Sequence, residues 1–332
     1  MNVNLKTIIV LTALCFTAEF SQAQHLLTFI KTDWDSSYYS KYATHWSGRS
    51  YVVSKNQAFS LSNRSNNEKI TYDPNAKAAL GLGISYGNYA LDLGFAISNK
   101  KEDEIYPTKS VDILSGLYNG QHVFDFSFQW YAGFFSSLPD SGGDTAQRTF
   151  RSDIRTFEVG IEYNYNFNYR RFSFNAPFIG TQIQKKSAGA PLAGVFMNYY
   201  DLRADKDIIP PPADSNFNNQ AQLSEANLLT TGLLGGYAYT FVLPKRFTLT
   251  ASITPGISFN IGDIKTQDYY SFGHPFTVSP KVVAKLAAGY GGKKFYCHLT
   301  YLYDGNYVNI GNKNEFNYNM SKLKFMVGLR IK

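Results

Sequence analysis

The chain is predicted to be an all-β protein, a transmembrane antiparallel β-barrel of about 12 strands, and two observations predict it. One is a two-residue alternation of apolar with small or polar residues, repeated in segments of about ten from near residue 75 to the end. Phe124, Phe126, Phe128, Trp130, Ala132 and Phe134 alternate with Asp125, Ser127, Gln129, Tyr131 and Gly133. Phe157, Val159, Ile161, Tyr163, Tyr165 and Phe167 alternate with Glu158, Gly160, Glu162, Asn164, Asn166 and Asn168. Because strand side chains point alternately to opposite faces, each segment offers one face to lipid and the other to a wet lumen. The other observation is an aromatic content of 16%, with 25 Tyr and 26 Phe, in a chain with no apolar run long enough for a membrane helix beyond its start.

Residues 1–23 read as a secretory signal peptide. Lys6 supplies the charge, Ile8 to Ala18 the apolar stretch, and Ser21-Gln22-Ala23 the small residues of a cleavage site. Leu14 is a poor residue to precede a lipidated cysteine, which argues against Cys15 as a lipid anchor. Residues 24–48 form a periplasmic lead-in, in which Tyr38, Tyr39, Tyr42 and Trp46 have nearly helical spacing and suit either a short interfacial helix or an extended linker. Residues 49–332 form the barrel.

Its strands are expected near 49–63, 75–87, 89–98, 108–119, 123–135, 151–168, 172–186, 227–242, 247–261, 278–290, 294–304 and 320–332. Tight connections such as 87–88, 119–122 and 243–246 alternate with long ones such as 64–74, 136–150 and 204–226. Outer-membrane barrels have short periplasmic turns and longer external loops, so both barrel ends are expected in the periplasm. The stretch 187–203 is ambiguous. A thirteenth strand there would put every later turn on the wrong side, which leaves a strand extension or an infolded loop. Ile208-Ile209-Pro210-Pro211-Pro212 is assigned to an external loop. The last strand alternates up to Ile331 and resembles the terminal signal recognised by the barrel-assembly machinery, although it ends in Ile331-Lys332 rather than Phe.

Several stretches resemble a family of uncharacterised outer-membrane proteins known only as a domain of unknown function. They are Ser37 to Arg49 with Tyr51 and Lys55, Tyr72-Asp73-Pro74-Asn75, Leu80 to Tyr86, Gln129 to Phe135, Arg171 to Phe174, and Gln184-Lys185-Lys186-Ser187-Ala188-Gly189. Ala132 and Phe134 depart from the Lys and Tyr usual in the family. The resemblance spans essentially the whole mature chain. It implies a barrel in the outer membrane of a Gram-negative bacterium and brings no activity with it.

The candidate sites are lumenal. Asp92, Asp112, Asp125, Glu158 and Glu162 are expected on one wall, and Lys281, Lys285, His298, Lys324 and Arg330 on the opposite one. They would either set a field across a water-filled channel or pair and plug it. Lys185, Lys186, Ser187 and Gly189 would form an anion nest for lipid A head groups or an anionic solute, or else a basic bend near the outer rim. No catalytic residue, metal site or cofactor is assigned, because the five His sit in no catalytic motif or ligand spacing. A net charge of +7 without a basic helix gives no reason to invoke nucleic acid. The expected partners are outer-membrane lipid and lipopolysaccharide, the assembly machinery during biogenesis, and a small solute. A narrow channel or binding barrel for a small hydrophilic solute is the leading reading. A closed barrel that joins an envelope protein complex is the alternative, and a lipid hydrolase using Ser187 or His298 the third.

Overall fold

The structure, a computed structural model, describes residues 33–41, 46–65, 68–75, 78–86, 89–97, 105–138, 147–209, 217, 221–266, 274–311 and 313–331. The signal-peptide assignment and most of the lead-in lie outside them. The strands are β1 (Tyr39–Lys41), β2 (Trp46–Asn63), β3 (Glu68–Pro74), β4 (Ala78–Tyr86), β5 (Tyr89–Ala96), β6 (Lys109–Asn119), β7 (His122–Leu138), β8 (Gln147–Asn166), β9 (Gln182–Gln184), β10 (Ala188–Arg203), β11 (Leu223–Val242), β12 (Phe247–Thr266), β13 (His274–Gly291), β14 (Phe295–Gly311) and β15 (Asn314–Ile331). A single helical turn, α1 (Asn175–Phe178), precedes β9.

Ten strands close the barrel in the order β2-β3-β7-β8-β10-β11-β12-β13-β14-β15, and β15 returns to β2 over its whole length, from Asn314↔Asn63 to Ile331↔Trp46. This pairing leaves neither β2 nor β15 with an exposed edge that lipid could not satisfy. The remaining barrel-wall strands, β4, β5 and β6, are present only in the half that carries the short turns. There the wall branches. The lower part of β2 pairs β4, β4 pairs β5, and β6 pairs β7. In the long-loop half, β3 alone joins β2 to β7.

The branch has a local cause. Pro74 ends β3 because it has no N–H to donate to the ladder. Gly133, at φ +91°, lies at a bulge where residues 152–154 of β8 stand opposite this one residue of β7, between the contacts of β7 with β6 and with β3. Thr108 joins the two, its Oγ1 accepting from Asn75 N at 2.9 Å and donating to Gly133 O at 2.8 Å. The bulge also turns Phe134 inward to full burial, so it leaves the outward face of Phe124, Phe126 and Phe128 on which alternation alone put it.

The strands are longer than a bilayer needs. A spanning strand takes about 9–11 residues, yet β8, β11 and β12 each have 20. Along their length the polarity reverses. Near the short turns Leu323, Phe325, Val327, Leu329 and Ile331 of β15 point out, and Lys322, Lys324 and Arg330 point in. Nearer the long loops Glu315, Asn317 and Asn319 point out, while Phe316 and Tyr318 point in and are buried. The register with β2 is continuous throughout, so no bulge causes the change. The chain is a membrane barrel whose long-loop half exchanges the polar lining for an apolar core.

The expected wet lumen is therefore corrected for the long-loop half. A single apolar cluster there draws side chains from nine of the ten ring strands, among them Phe59, Tyr72, Phe134, Tyr200, Phe316 and Tyr318. Tyr200 and Tyr318 stack with ring centroids 4.3 Å apart, and Phe59 and Tyr72 at 4.5 Å. Ile208 and Ile209, expected in an external loop, dip into this layer, and the Arg151 guanidinium holds the descending backbone through Asp207 O at 2.9 Å. Residues 210–212 lie outside the described residues.

Two expected segments exchange roles. Residues 188–203 form strand β10, whereas 172–186, expected as a strand, folds back inside the barrel at the short-turn end as α1 and β9. Parity survives because one strand replaced another. Of the two alternatives for the lead-in, the described part is extended, since Tyr39–Lys41 is a strand paired with β9 and Trp46 opens β2 on its outward face.

Candidate functional site

Between the apolar layer and the inner fold lies a charged chamber, built from strands whose inward positions carry the polar half of the alternation. Its cavity measures about 220 Å³. Lys285 of β13 forms an ion pair with Asp125 of β7, which also accepts a hydrogen bond from the Tyr118 hydroxyl at 2.8 Å. Arg49 and Lys324 both pair with Asp92, the arginine at 2.6 Å. Lys55 reaches Asp112 at 2.8 Å, and Gln129 and Tyr131 donate to the same carboxylate at 2.7 and 2.6 Å. Lys281, fully buried, pairs with Asp304 and donates to Asn306 Oδ1 at 3.1 Å.

The two glutamates have amide partners. Glu158 accepts from Gln57 at 3.0 Å and Glu162 from Asn164 at 2.7 Å. Lys285 and Asp125 tie opposite walls, and these partners together lower the cost of holding the charges away from bulk water. Lys322 was missed in the sequence. It faces inward on β15, its cross-strand partner on β2 is Lys55, and it makes no hydrogen bond or ion pair among the described residues. Its position at the reversal of alternation was the available signal.

His298 and Arg330 belong to the floor below the chamber. His298 Nδ1 donates to Pro177 O at 2.7 Å, and the Arg330 guanidinium donates to the carbonyls of Gly180 and Gly292 while lying 4.7 Å over the Tyr296 ring. Gly180, at φ +85°, lets the segment turn against that ring, where a Cβ would come within 2.4 Å. Asn175 of α1 donates to Tyr118 O at 2.7 Å. Phe172 and Phe174 are buried with Tyr118 and Val123, which completes the floor.

The stretch Gln184 to Gly189 lies at this short-turn end, not near the rim of the long loops. Gln184 is a lock of the floor: its Nε2 donates to Arg171 O at 2.6 Å and its Oε1 accepts from Ser173 N at 3.1 Å. Lys185 donates to Ser36 O at 2.8 Å, Lys186 stands 5.2 Å over the Tyr38 ring, and Ser187 Oγ accepts from Val242 N at 2.9 Å. Asn168 Nδ2 caps the Gly189 carbonyl at 2.7 Å. Ser187 and His298 are each committed to backbone partners.

A family model matches residues 33–330, described as a domain of unknown function, DUF4421. The chain belongs to this family. No curated protein matches it. Among solved structures, it is similar to the outer membrane protease OmpT of Escherichia coli, at 8% identity over 88% of this chain and 98% of that one, with a TM-score of 0.39. It is also similar to the outer membrane protein OprG of Pseudomonas aeruginosa, at 11% identity over 85% and 95% of the two chains and a TM-score of 0.23. The P. putida toluene transporter TodX gives 8% identity over 87% and 90%, with a TM-score of 0.28. These likenesses extend to the barrel fold and carry no function with them.

Proposed function

We propose that this DUF4421 protein is an exported outer-membrane barrel that binds a small polar solute in its charged chamber, rather than an open axial pore. The observation that carries this reading is the sealing of the chamber at both ends. An apolar layer contributed by nine ring strands lies above it, and the floor held by Arg330, His298 and Gln184 lies below. A barrel this narrow has an interior that side chains fill, unless space is deliberately left. Here space is left where the charges are.

Planar-bilayer recording and equilibrium dialysis of the refolded barrel against labelled acetate and inorganic phosphate test it together. A folded barrel that shows no stable openings and retains one of these solutes saturably supports the binding chamber. Stable wild-type openings, or no saturable retention, overturn it.

A further inference from the structure

The chamber has one wall that is not closed. β5 is hydrogen-bonded only to β4 and β6 only to β7, and no ladder joins β5 to β6 among the described residues. The two edges face each other, because the chamber is lined by Leu91 and Asp92 of β5 and by Ile113 to Gly116 of β6. The seam is a window. Its lintel is the β3–β7 pairing from Thr71↔Ser137 to Pro74↔Phe134, fastened by Thr108, so it opens only at the level of the apolar belt. The edges are tethered backwards and not to one another, β5 through Asp92 to Arg49 and Lys324, β6 through Asp112 to Lys55.

The two sides of the window differ in chemistry. Outside stand Leu91 and Ile113, 61% and 59% exposed. Inside stands Lys322, opposite the like charge of Lys55, which pairs with Asp112 at 2.8 Å while Lys322 forms no ion pair among the described residues. Like charges paired across a ladder repel, and an anion bound at Lys322 relieves that repulsion. An open sheet edge in the bilayer is costly unless it borders a polar cavity, which this one does.

We propose that the β5–β6 seam is a lateral portal through which a single-chain amphiphile with an anionic head passes between the membrane and the chamber, its head at Lys322 and its chain between Leu91 and Ile113. This inference rests on the binding chamber proposed above. The shared chemistry is a carboxylate or phosphate head on an alkyl chain.

The test uses the full barrel in nanodiscs, titrated with dodecanoate and with dodecyl phosphate, and with acetate and inorganic phosphate as chainless controls. In a Cys297→Ser background, Leu91→Cys and Ile113→Cys are bridged by a reversible thiol cross-linker to lock the seam. The expected result is that one amphiphile binds at least tenfold tighter than its chainless control. Lys322→Met weakens that binding tenfold or more. Locking abolishes it and reductant restores it in the same sample, which separates closure from misfolding. Whichever amphiphile is preferred identifies the head. Chainless anions binding as well as the amphiphiles, with or without the lock, would leave the chamber standing and overturn the portal. If neither chainless anions nor amphiphiles bind, chamber and portal fall together.

Discussion

Lys285 and Asp125 stand five strands apart in either direction around the ten-strand ring, and their side chains meet in an ion pair across its middle. The lumen is bridged by two charges, of which Asp125 also accepts a hydrogen bond from the Tyr118 hydroxyl. Removing one member leaves the other, mostly buried, without its counter-ion. Lys285→Met or Asp125→Asn should each cost about 3 kcal/mol in urea unfolding of the refolded barrel, and the double variant should cost less than the two single losses added together.

The polarity reversal along the strands marks where the bilayer ends. Phe325→Arg, in the outward belt of β15, is expected to cost about 2–4 kcal/mol in lipid. Asn319→Arg, on the same outward face six residues earlier with Asn317 and Ser321 beside it along the strand, should leave stability within about 0.5 kcal/mol of wild type. Unfolding in liposomes compares the two directly. Equal costs would mean that the upper wall is also in lipid.

The apolar layer should behave as the core of a soluble protein. Phe59 touches the rings of Tyr72, Phe134 and Phe316, with the nearest centroid 4.5 Å away. Phe59→Ala is expected to cost about 3–5 kcal/mol through the cavity it leaves, read as a fall in the urea midpoint.

Gly133 is the pivot of the branched wall. A side chain there must adopt φ +91° and place its Cβ 2.7 Å from Pro107 O. Gly133→Ala should destabilise by about 1–3 kcal/mol. Thr108→Val, which removes only the hydroxyl joining Asn75 to Gly133, should cost about 1 kcal/mol. Thermal unfolding of the folded band on gels ranks the two.

The floor should be separable from the wall. Gly180→Val drives a side chain into the Tyr296 ring, and Arg330→Ala removes the donors to Gly180 and Gly292. Both variants are expected to keep the barrel band and, because the apolar layer still closes the axis, to leave the bilayer as silent as wild type while loosening retention of solute in dialysis. Stable openings in either variant would show that the floor alone closes the axis.

Alternation, tight turns and strand parity by themselves determined the membrane barrel, its short-turn and long-loop ends, and the inward placement of residues such as Glu158 and Lys285, because a period of two is a property of the backbone. Even so, 172–186 looked as strand-like as 188–203. Nothing local tells a strand in the wall from a segment folded inside it, since both satisfy the backbone and bury aromatics. Tertiary structure alone decided that Gln184 locks a floor, that Gly133 turns Phe134 inward, and that the alternation of β15 changes phase without a bulge where lipid gives way to water. It also decided which charges meet. Asp92 lies 43 residues from Arg49 and 232 from Lys324, and only closure of β15 on β2 brings all three together.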